Sequence, residues 1–282
     1  LSKIAAVVVT YNNHQMLKGL LENLAKQIRL PDEVIVVDNG DGKEAEKIVR
    51  EKFSLAKYIK MPENTGSAGG YYAGIKAAIE NNDFVWTLDD DVRMPEDSLR
   101  ELIDGFERLA AFCKIAIARS VGVNDPTPGL PKPMDIFTWR GALIKTEVFA
   151  KEGMINKDFF IYGEDLDFSY RLLKKGYVFY WIPTSVCCEK RTLDKGKYRF
   201  FWKTFTVYVD AFRLYYAFRN RIYINMRYGY YLKTISILFY ELKIILLILF
   251  TDGLGGLVKV RAIVMGSIHG FAGRLGKSYN GG

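Results

Sequence analysis

Three apolar runs each end on a short polar set, and this repetition constrains the chain more than any other feature. Ile4–Val9 closes on Thr10-Tyr11-Asn12, residues 33–37 close on Asp38-Asn39, and Phe84–Leu88 closes on Asp89-Asp90-Asp91. Helical spacing fills the intervals, through Leu17, Leu20, Leu21 and Leu24 in the first and over 45–53 in the second. Uninterrupted apolar strands are buried on both faces, and strands alternating with helices build a mostly parallel sheet flanked by helices. Such sheets bind ligands beyond the carboxyl ends of their strands. The three polar sets are therefore expected along one edge.

A short strand over 58–60, a Gly-rich turn over Asn64–Gly70 and a helix over 71–80 lead into the run before the aspartates. Beyond them the pattern predicts a helix and strand within 92–125 and a loop over 126–133, where four of the eight prolines fall. Next come a strand over 136–144, helices over 146–152 and from after Asp167 through Leu173, and a last strand over 177–182 closed by Pro183. Residues 1–195 read as one α/β domain in two parts, 1–92 with the three polar sets and 93–195. Residues 196–282 read as a helical C-terminal region.

Charge separates the same two parts. Residues 196–282 carry 13 Lys/Arg against 3 Asp/Glu, and residues 1–195 carry 27 against 29, so the net +8 comes from the tail. Such a tail calls for an acidic partner: anionic lipid, a phosphorylated substrate or nucleic acid. Within it, aromatics and arginines interleave through Phe200-Phe201-Trp202, Tyr215-Tyr216 and Arg219-Asn220-Arg221. Thr234–Phe250 is then apolar except for Glu241 and Lys243, shorter than the roughly 20 residues a spanning helix wants. That pattern fits a helix lying in a membrane interface, peripheral to the bilayer; packing on the sheet or on a second copy of the chain is the alternative. Three cysteines make no disulfide framework, and no charged leader precedes the first strand, so a reducing, cytoplasmic setting is expected.

The aspartates bear the chemistry. Side chains alternate along a strand, so Asp89 and Asp91 point one way and Asp90 the other. Two neighbouring carboxylates repel unless a cation lies between them, and carboxylate oxygens suit Mn²⁺ or Mg²⁺. A solvated acidic turn ahead of Pro95 and Glu96-Asp97 is the competing reading.

Val8-Val9-Thr10-Tyr11-Asn12, Val37-Asp38-Asn39, the Asn64–Gly70 turn, Leu88–Asp91, Gly163-Glu164-Asp165 and Tyr216-x-x-Arg219-Asn220 occur in that order. In order and spacing they resemble the family 2 inverting glycosyltransferases of the GT-A fold, from residue 4 to about 225. Within that family the segments 88–93 and 216–221 are most similar to galactofuranosyltransferases and bacterial rhamnosyltransferases.

The resemblance implies a role for each position. Asp89 and Asp91 hold the divalent ion on the donor's diphosphate; Thr10, Asn12, Asp38 and Asp90 line the nucleotide pocket. Asn64, Gly66 and Gly69 let backbone approach the donor. Trp139 walls a sugar face, or else belongs to the core, and Arg140 stands where relatives often carry a second aromatic. Asp165 is the catalytic base, with Glu164 as its substitute, although acids here also suit the start of a helix. Arg219 caps the diphosphate or orders a loop over it. The family's third metal ligand, a histidine after the last strand, has no counterpart in Val186-Cys187-Cys188-Glu189-Lys190, which leaves Glu189 as the oxygen ligand on offer.

The implied enzyme moves a sugar from a nucleotide-sugar donor to a lipid-linked saccharide acceptor at the cytoplasmic membrane face. UDP-galactofuranose is the leading donor and dTDP-L-rhamnose the second. A non-catalytic membrane scaffold of the same fold is the alternative of another class. A nucleic-acid binder is disfavoured by the apolar run 234–250, because nucleic-acid surfaces are polar.

Overall fold

The computed structural model describes residues 2–53, 56–123, 129–189, 195–200, 203–208 and 210–279; the side chains of residues 52, 189, 195, 197–200 and 203–207 lie outside that description. The chain begins with β1 (Ile4–Thr10), α1 (His14–Leu24), β2 (Glu33–Asp38), α2 (Glu44–Lys52), β3 (Lys57–Lys60), α3 (Gly66–Ala78) and β4 (Phe84–Asp89). These four strands lie in the order β3-β2-β1-β4, all parallel, as the apolar runs predict. Alternate residues of each strand feed the two faces. Ile4, Ala6, Val8, Val34, Val36, Trp86 and Leu88 pack with the Leu17, Leu20, Leu21 and Leu24 stripe of α1. Ala5, Val7, Ile35, Val37 and Val85 pack with Tyr71, Ile75 and Ala78 of α3.

The stretch expected as a Gly-rich turn is instead the first turn of α3, which starts five residues earlier than the pattern suggests. Asn64 Oδ1 accepts from the Gly66 amide at 2.9 Å, and Gly66 has φ +70°, a conformation costly for other residues. Farther in, a Cβ on Gly70 would lie 2.6 Å from Val9 Cγ1, and one on Gly74 would overlap the Val7 side chain. The glycines let the helix lie directly on β1.

The second half of the sheet contains β5 (Val92–Arg93), α4 (Ser98–Ala110), β6 (Ile115–Gly122), β7 (Lys132–Met134), β8 (Ala142–Lys145), α5 (Thr146–Glu152), α6 (Glu164–Leu173) and β9 (Val178–Glu189). β8 runs antiparallel between β4 and β6, and β9 pairs parallel with β6. The strand expected over 136–144 shrinks to β8, and Phe137 and Trp139 precede it as buried anchors. β9 does not stop at Pro183. The β6–β9 register shifts between Ser120 and Val121, and a proline is tolerated at such an irregularity because no ladder bond is needed there.

The chain forms two compact units, 1–157 with 165–191, and 158–164 with 192–282. The short segment 158–164 thus leaves the sheet unit, which a division at 195 does not anticipate. The second unit opens on a hairpin, β10 (Lys195–Phe200) with β11 (Lys203–Tyr208), where helix was expected. Then follow α7 (Ala211–Arg227), α8 (Tyr231–Asp252) and α9 (Leu257–Phe271). α9 crosses α7 closely: a Cβ on Gly266 would lie 2.6 Å from the Tyr215 carbonyl oxygen, and one on Gly270 2.5 Å from that of Arg219. α8 has 22 residues, about 33 Å at 1.5 Å per residue, so it is longer than the apolar run implied. Among the described residues one helical stretch, Tyr231–Phe271, is long and apolar enough to cross a membrane, with mean hydropathy 2.0.

Candidate active site on the sheet edge

Register brings the three polar sets together. Thr10 lies opposite Asp38, and Val9 opposite Asp89, so β1, β2 and β4 end side by side. Each set has an inward and an outward member. Asp90 turns inward: its carboxylate accepts from Thr10 Oγ1 at 2.7 Å, Asn13 Nδ2 at 2.9 Å and the Tyr11 amide at 3.4 Å. Burial pushes the Asp90 carboxyl up while these donors pull it down. Thr10 and Asp90, both expected at the nucleotide, spend these polar atoms on fixing the β1 and β4 termini to each other.

Asp38 is buried. Its Oδ1 accepts from the Gly40 amide at 2.7 Å and its Oδ2 from Tyr58 Oη at 2.6 Å and Lys60 Nζ at 2.9 Å. Asn12, exposed and left-handed at φ +51°, accepts from the Asp41 amide at 2.7 Å. Asn39 went unassigned in the sequence, yet it links the edge to α3. Its Nδ2 donates to the Gly66 carbonyl at 2.9 Å, and its Oδ1 accepts from Thr65 Oγ1 at 2.8 Å. Gly66 and Gly69 are buried, and a Cβ on Gly69 would overlap Thr65; their small size serves packing.

Asp89 ends β4 and Asp91 lies in the turn after it, both half-buried. Tyr71 Oη donates to Asp89 Oδ1 at 2.6 Å, an interaction no sequence motif signalled. Burial raises the Asp89 carboxyl to about 6; Tyr71 and Arg140 oppose the rise, while the Asp91 and Asp90 charges add to it. A hard divalent ion relieves the repulsion between neighbouring carboxylates that helps raise Asp89.

Arg140 arrives through a pinned loop. Thr87 Oγ1 donates to the Trp139 carbonyl at 2.7 Å, and Gly141 N to the Thr87 carbonyl at 3.0 Å. Arg119 Nε donates to the Arg140 carbonyl at 3.1 Å, and its guanidinium lies over Trp181 at 4.4 Å. Trp139 itself is 5% exposed, stacked on Tyr71 at 4.8 Å and edge-on to Phe137 at 4.9 Å. It is a core residue behind the site, the second of the two roles weighed for it.

Asp165 stands in the first turn of α6, where its Oδ1 accepts from the Leu166 amide at 2.8 Å. Burial raises its carboxyl, opposed by that amide and by the Arg119 and Arg140 charges. The Arg140 charge therefore acts on both Asp89 and Asp165. Glu164, the substitute base, is 3% exposed and belongs with the second unit.

Two expectations change or stay open. Arg219 is fully buried and donates to the Phe159 and Gly276 carbonyls at 2.9 and 2.6 Å, so the diphosphate-capping role gives way to loop ordering. Its guanidinium is already surrounded by protein acceptors. Glu189 pairs with Val92 through its backbone, but its side chain lies outside the described residues. Among the described residues no three His, Cys, Asp or Glu side chains converge on a metal position. Two carboxylates with donor phosphates and water still suit Mg²⁺ or Mn²⁺, since such ions are commonly held that way.

Residues 5–162 match Glycosyl transferase family 2, more than half of the chain. The chain belongs to that family. Residues 129–269 also match Glycosyl transferase family group 2. Among curated proteins this glycosyltransferase is similar to the galactofuranosyltransferase GlfT1 of Mycolicibacterium smegmatis, 25% identical over 259 residues, covering 80% of this chain and 84% of the relative. Two solved structures share its GT-A fold. One is GalNAc-T7 with UDP, GalNAc and Mn²⁺ (TM-score 0.59, 13% identity, 69% of this chain and 44% of that one). The other is the mannosyltransferase PcManGT from Pyrobaculum calidifontis with GDP-Man and Mn²⁺ (TM-score 0.55, 22% identity, 67% of this chain and 56% of that one). The chain spans about half the length of these two structures.

Proposed function

We propose that this family 2 glycosyltransferase is a metal-dependent, inverting galactofuranosyltransferase that uses UDP-galactofuranose and a lipid-linked saccharide acceptor. The observation that supports the reading is the ending of β1, β2 and β4 side by side on Thr10, Asp38 and Asp89, with Asp89 and Asp165 both under the Arg140 charge. Asp89 and Asp91 would hold Mn²⁺ or Mg²⁺, with Glu189 the candidate third protein ligand. When bound, that ion neutralises charge on the departing nucleotide diphosphate. Asp38, Asn12 and Asn64 stay the candidates for the nucleotide, and a ligand at Asp38 would share or displace the Lys60 ammonium.

Asp165 acts on the acceptor. Inversion by direct displacement needs one carboxylate to take the proton from the attacking hydroxyl, opposite the leaving group. A carboxyl raised by burial is a stronger base than a solvated one, and the Arg119 and Arg140 charges oppose that rise. The likeness to GlfT1 favours galactofuranose over L-rhamnose.

The second unit supports a membrane-surface setting. Thr234, Glu241, Ile244, Leu247 and Ile248 of α8 are buried, whereas Leu232, Ile235, Phe239, Leu242, Leu246 and Phe250 are exposed. A helix packed along one side and apolar along the other suits an interface plane, and the net positive charge of residues 196–282 suits anionic lipid at the cytoplasmic leaflet. A second copy of the chain is the competing occupant of that face.

The deciding assay offers UDP-galactofuranose, UDP-galactose and dTDP-L-rhamnose with a lipid-tailed saccharide, with Mn²⁺ or with EDTA. Metal-dependent transfer from UDP-galactofuranose with inversion at the anomeric carbon is expected. Transfer from dTDP-L-rhamnose alone would replace the donor, and absence of nucleotide binding would favour the scaffold.

A further inference from the structure

The segment Phe159–Gly163 has a backbone unlike the rest of the second unit. Phe160 and Tyr162 have φ +67° and +65°, and Gly163 has +92°. Left-handed aromatics are strained and persist only where surrounding contacts hold them. Here the contacts come from one face of α7 and from the segment after α9.

Asn220 Nδ2 lies within bonding distance of three carbonyl oxygens, those of Phe159 at 3.2 Å, Ile161 at 2.8 Å and Tyr162 at 2.6 Å. Arg219 Nη2 donates to the Phe159 carbonyl at 2.9 Å, and Arg219 Nε donates to Asn220 Oδ1 at 2.7 Å, which fixes the amide orientation. The Gly276 amide donates to the Asp158 carbonyl at 2.6 Å. Carbonyls 158, 159, 161 and 162 therefore all point at this clamp. Left-handed residues at 160 and 162 allow that, because each reverses the course of an extended chain. Ring packing adds to it: Phe160 meets Tyr216 at 5.0 Å, and Phe159 meets Tyr223 at 5.8 Å.

The loop runs without a break into α6, whose first residues are Glu164 and Asp165. We infer that Asn220 and Arg219 are positioning residues: they hold the strained 159–163 backbone that sets where the first turn of α6 begins. The inference rests on the reading of Asp165 as base. Asn220 and Arg219 touch no reacting atom in it. A donor at position 220 is required, since an acceptor there would face three carbonyl oxygens.

The test compares Asn220→Ala and the isosteric Asn220→Asp with wild type in three measurements: amide hydrogen exchange, Kd for UDP-galactofuranose with Mn²⁺, and steady-state transfer. Exchange at amides 160–167 is expected to rise at least about tenfold, with the strands of the sheet unchanged. The donor Kd is expected to stay within about twofold, while kcat falls on the order of 100-fold, the scale of an ångström-level misplacement. Asn220→Gln, which keeps the donors, is expected to restore part of kcat. Unchanged exchange in the variants would overturn the clamp. Faster exchange with unchanged kcat, or kcat and donor binding lost together, would overturn its catalytic purpose. Full activity in Asp165→Asn would instead sink the base assignment, and the exchange data would still report on the clamp.

Discussion

The Asp89 carboxyl gives the sharpest test of the sheet-edge site. Its ordinary value is 3.8, and burial, with the Asp91 and Asp90 charges, raises it to about 6. A raised acid binds its proton more tightly when folded, so its stabilising contribution is present below 3.8 and lost as pH rises through about 6. The shift of about two units corresponds to about 3 kcal/mol. A cation that binds the carboxylate must displace that proton. Affinity for donor plus Mn²⁺ should hold steady from pH 8 to 7, then weaken, with Kd about tenfold higher at pH 5 than at pH 8. UDP-galactofuranose is the right ligand for calorimetry, because its diphosphate is a diester with no proton titrating in this range. Tyr71→Phe keeps the ring on Trp139 and removes the 2.6 Å donor to Asp89. A hydrogen bond to a charged group contributes about 1.5–3 kcal/mol, so the midpoint should move up by about one to two pH units. At pH 7 that variant should bind about two- to tenfold more weakly. A Kd flat between pH 8 and 5, or a midpoint unmoved in Tyr71→Phe, would refute the assignment of Asp89 to the cation.

Asp165→Asn should leave the donor Kd within about twofold and lower kcat by about 100-fold or more, read by transfer and by calorimetry on one preparation. Gly74→Ala places a methyl against Val7 and should lower stability by about 1–3 kcal/mol, read by urea denaturation. Glu241 is buried, accepts from Ser267 Oγ at 2.7 Å, and burial raises it to about 7. The second unit should therefore lose about 3 kcal/mol as pH rises from about 4.5 to 7, and Glu241→Gln should flatten that slope in thermal melts. Phe239→Glu with Leu246→Glu should abolish flotation with vesicles containing phosphatidylglycerol. Unchanged flotation, or a wild-type dimer dissociated by the pair of substitutions, would assign the apolar face of α8 differently.

Much of the sheet unit is legible in sequence because its signals are local. Continuous apolar runs gave parallel strands, and the polar residues closing them identified the edge. Asp90 turns to Thr10 and Asn13 while Asp89 meets Tyr71, as alternation past Leu88 suggests for that pair. What local pattern does not carry is the partner from elsewhere in the chain. Tyr71 reads as a residue beside glycines, and only the close approach of α3 to β1 brings its hydroxyl to Asp89. Arg119 and Arg140 are ordinary arginines until β6 and the pinned loop before β8 set them near Asp165. Gly70 reads as a turn former because glycine signals both turns and close packing, and the neighbouring strand decides between them.

The tail shows the same limit more strongly. The family resemblance suggests that Arg219 caps a diphosphate or orders a loop. Its donors reach the Phe159 and Gly276 carbonyls and the side-chain oxygens of Asn220 and Ser278. A guanidinium offers five donors in a fixed plane, and here those donors face acceptors from distant segments, leaving no open side for an anion. The motif that resembled a ligand-binding signature is then a folding signature for the loop before α6. This explains its fixed spacing as well as phosphate binding does: adjacent residues 219 and 220 are both needed, because Arg219 orients the amide that Asn220 presents. Arg219→Lys separates the two readings. Lysine keeps the charge but cannot donate to Asn220, Gly276 and Phe159 in one plane. If Arg219 held phosphate, donor Kd would change most. If it holds the loop, exchange at 160–167 should rise and kcat fall with donor Kd nearly constant.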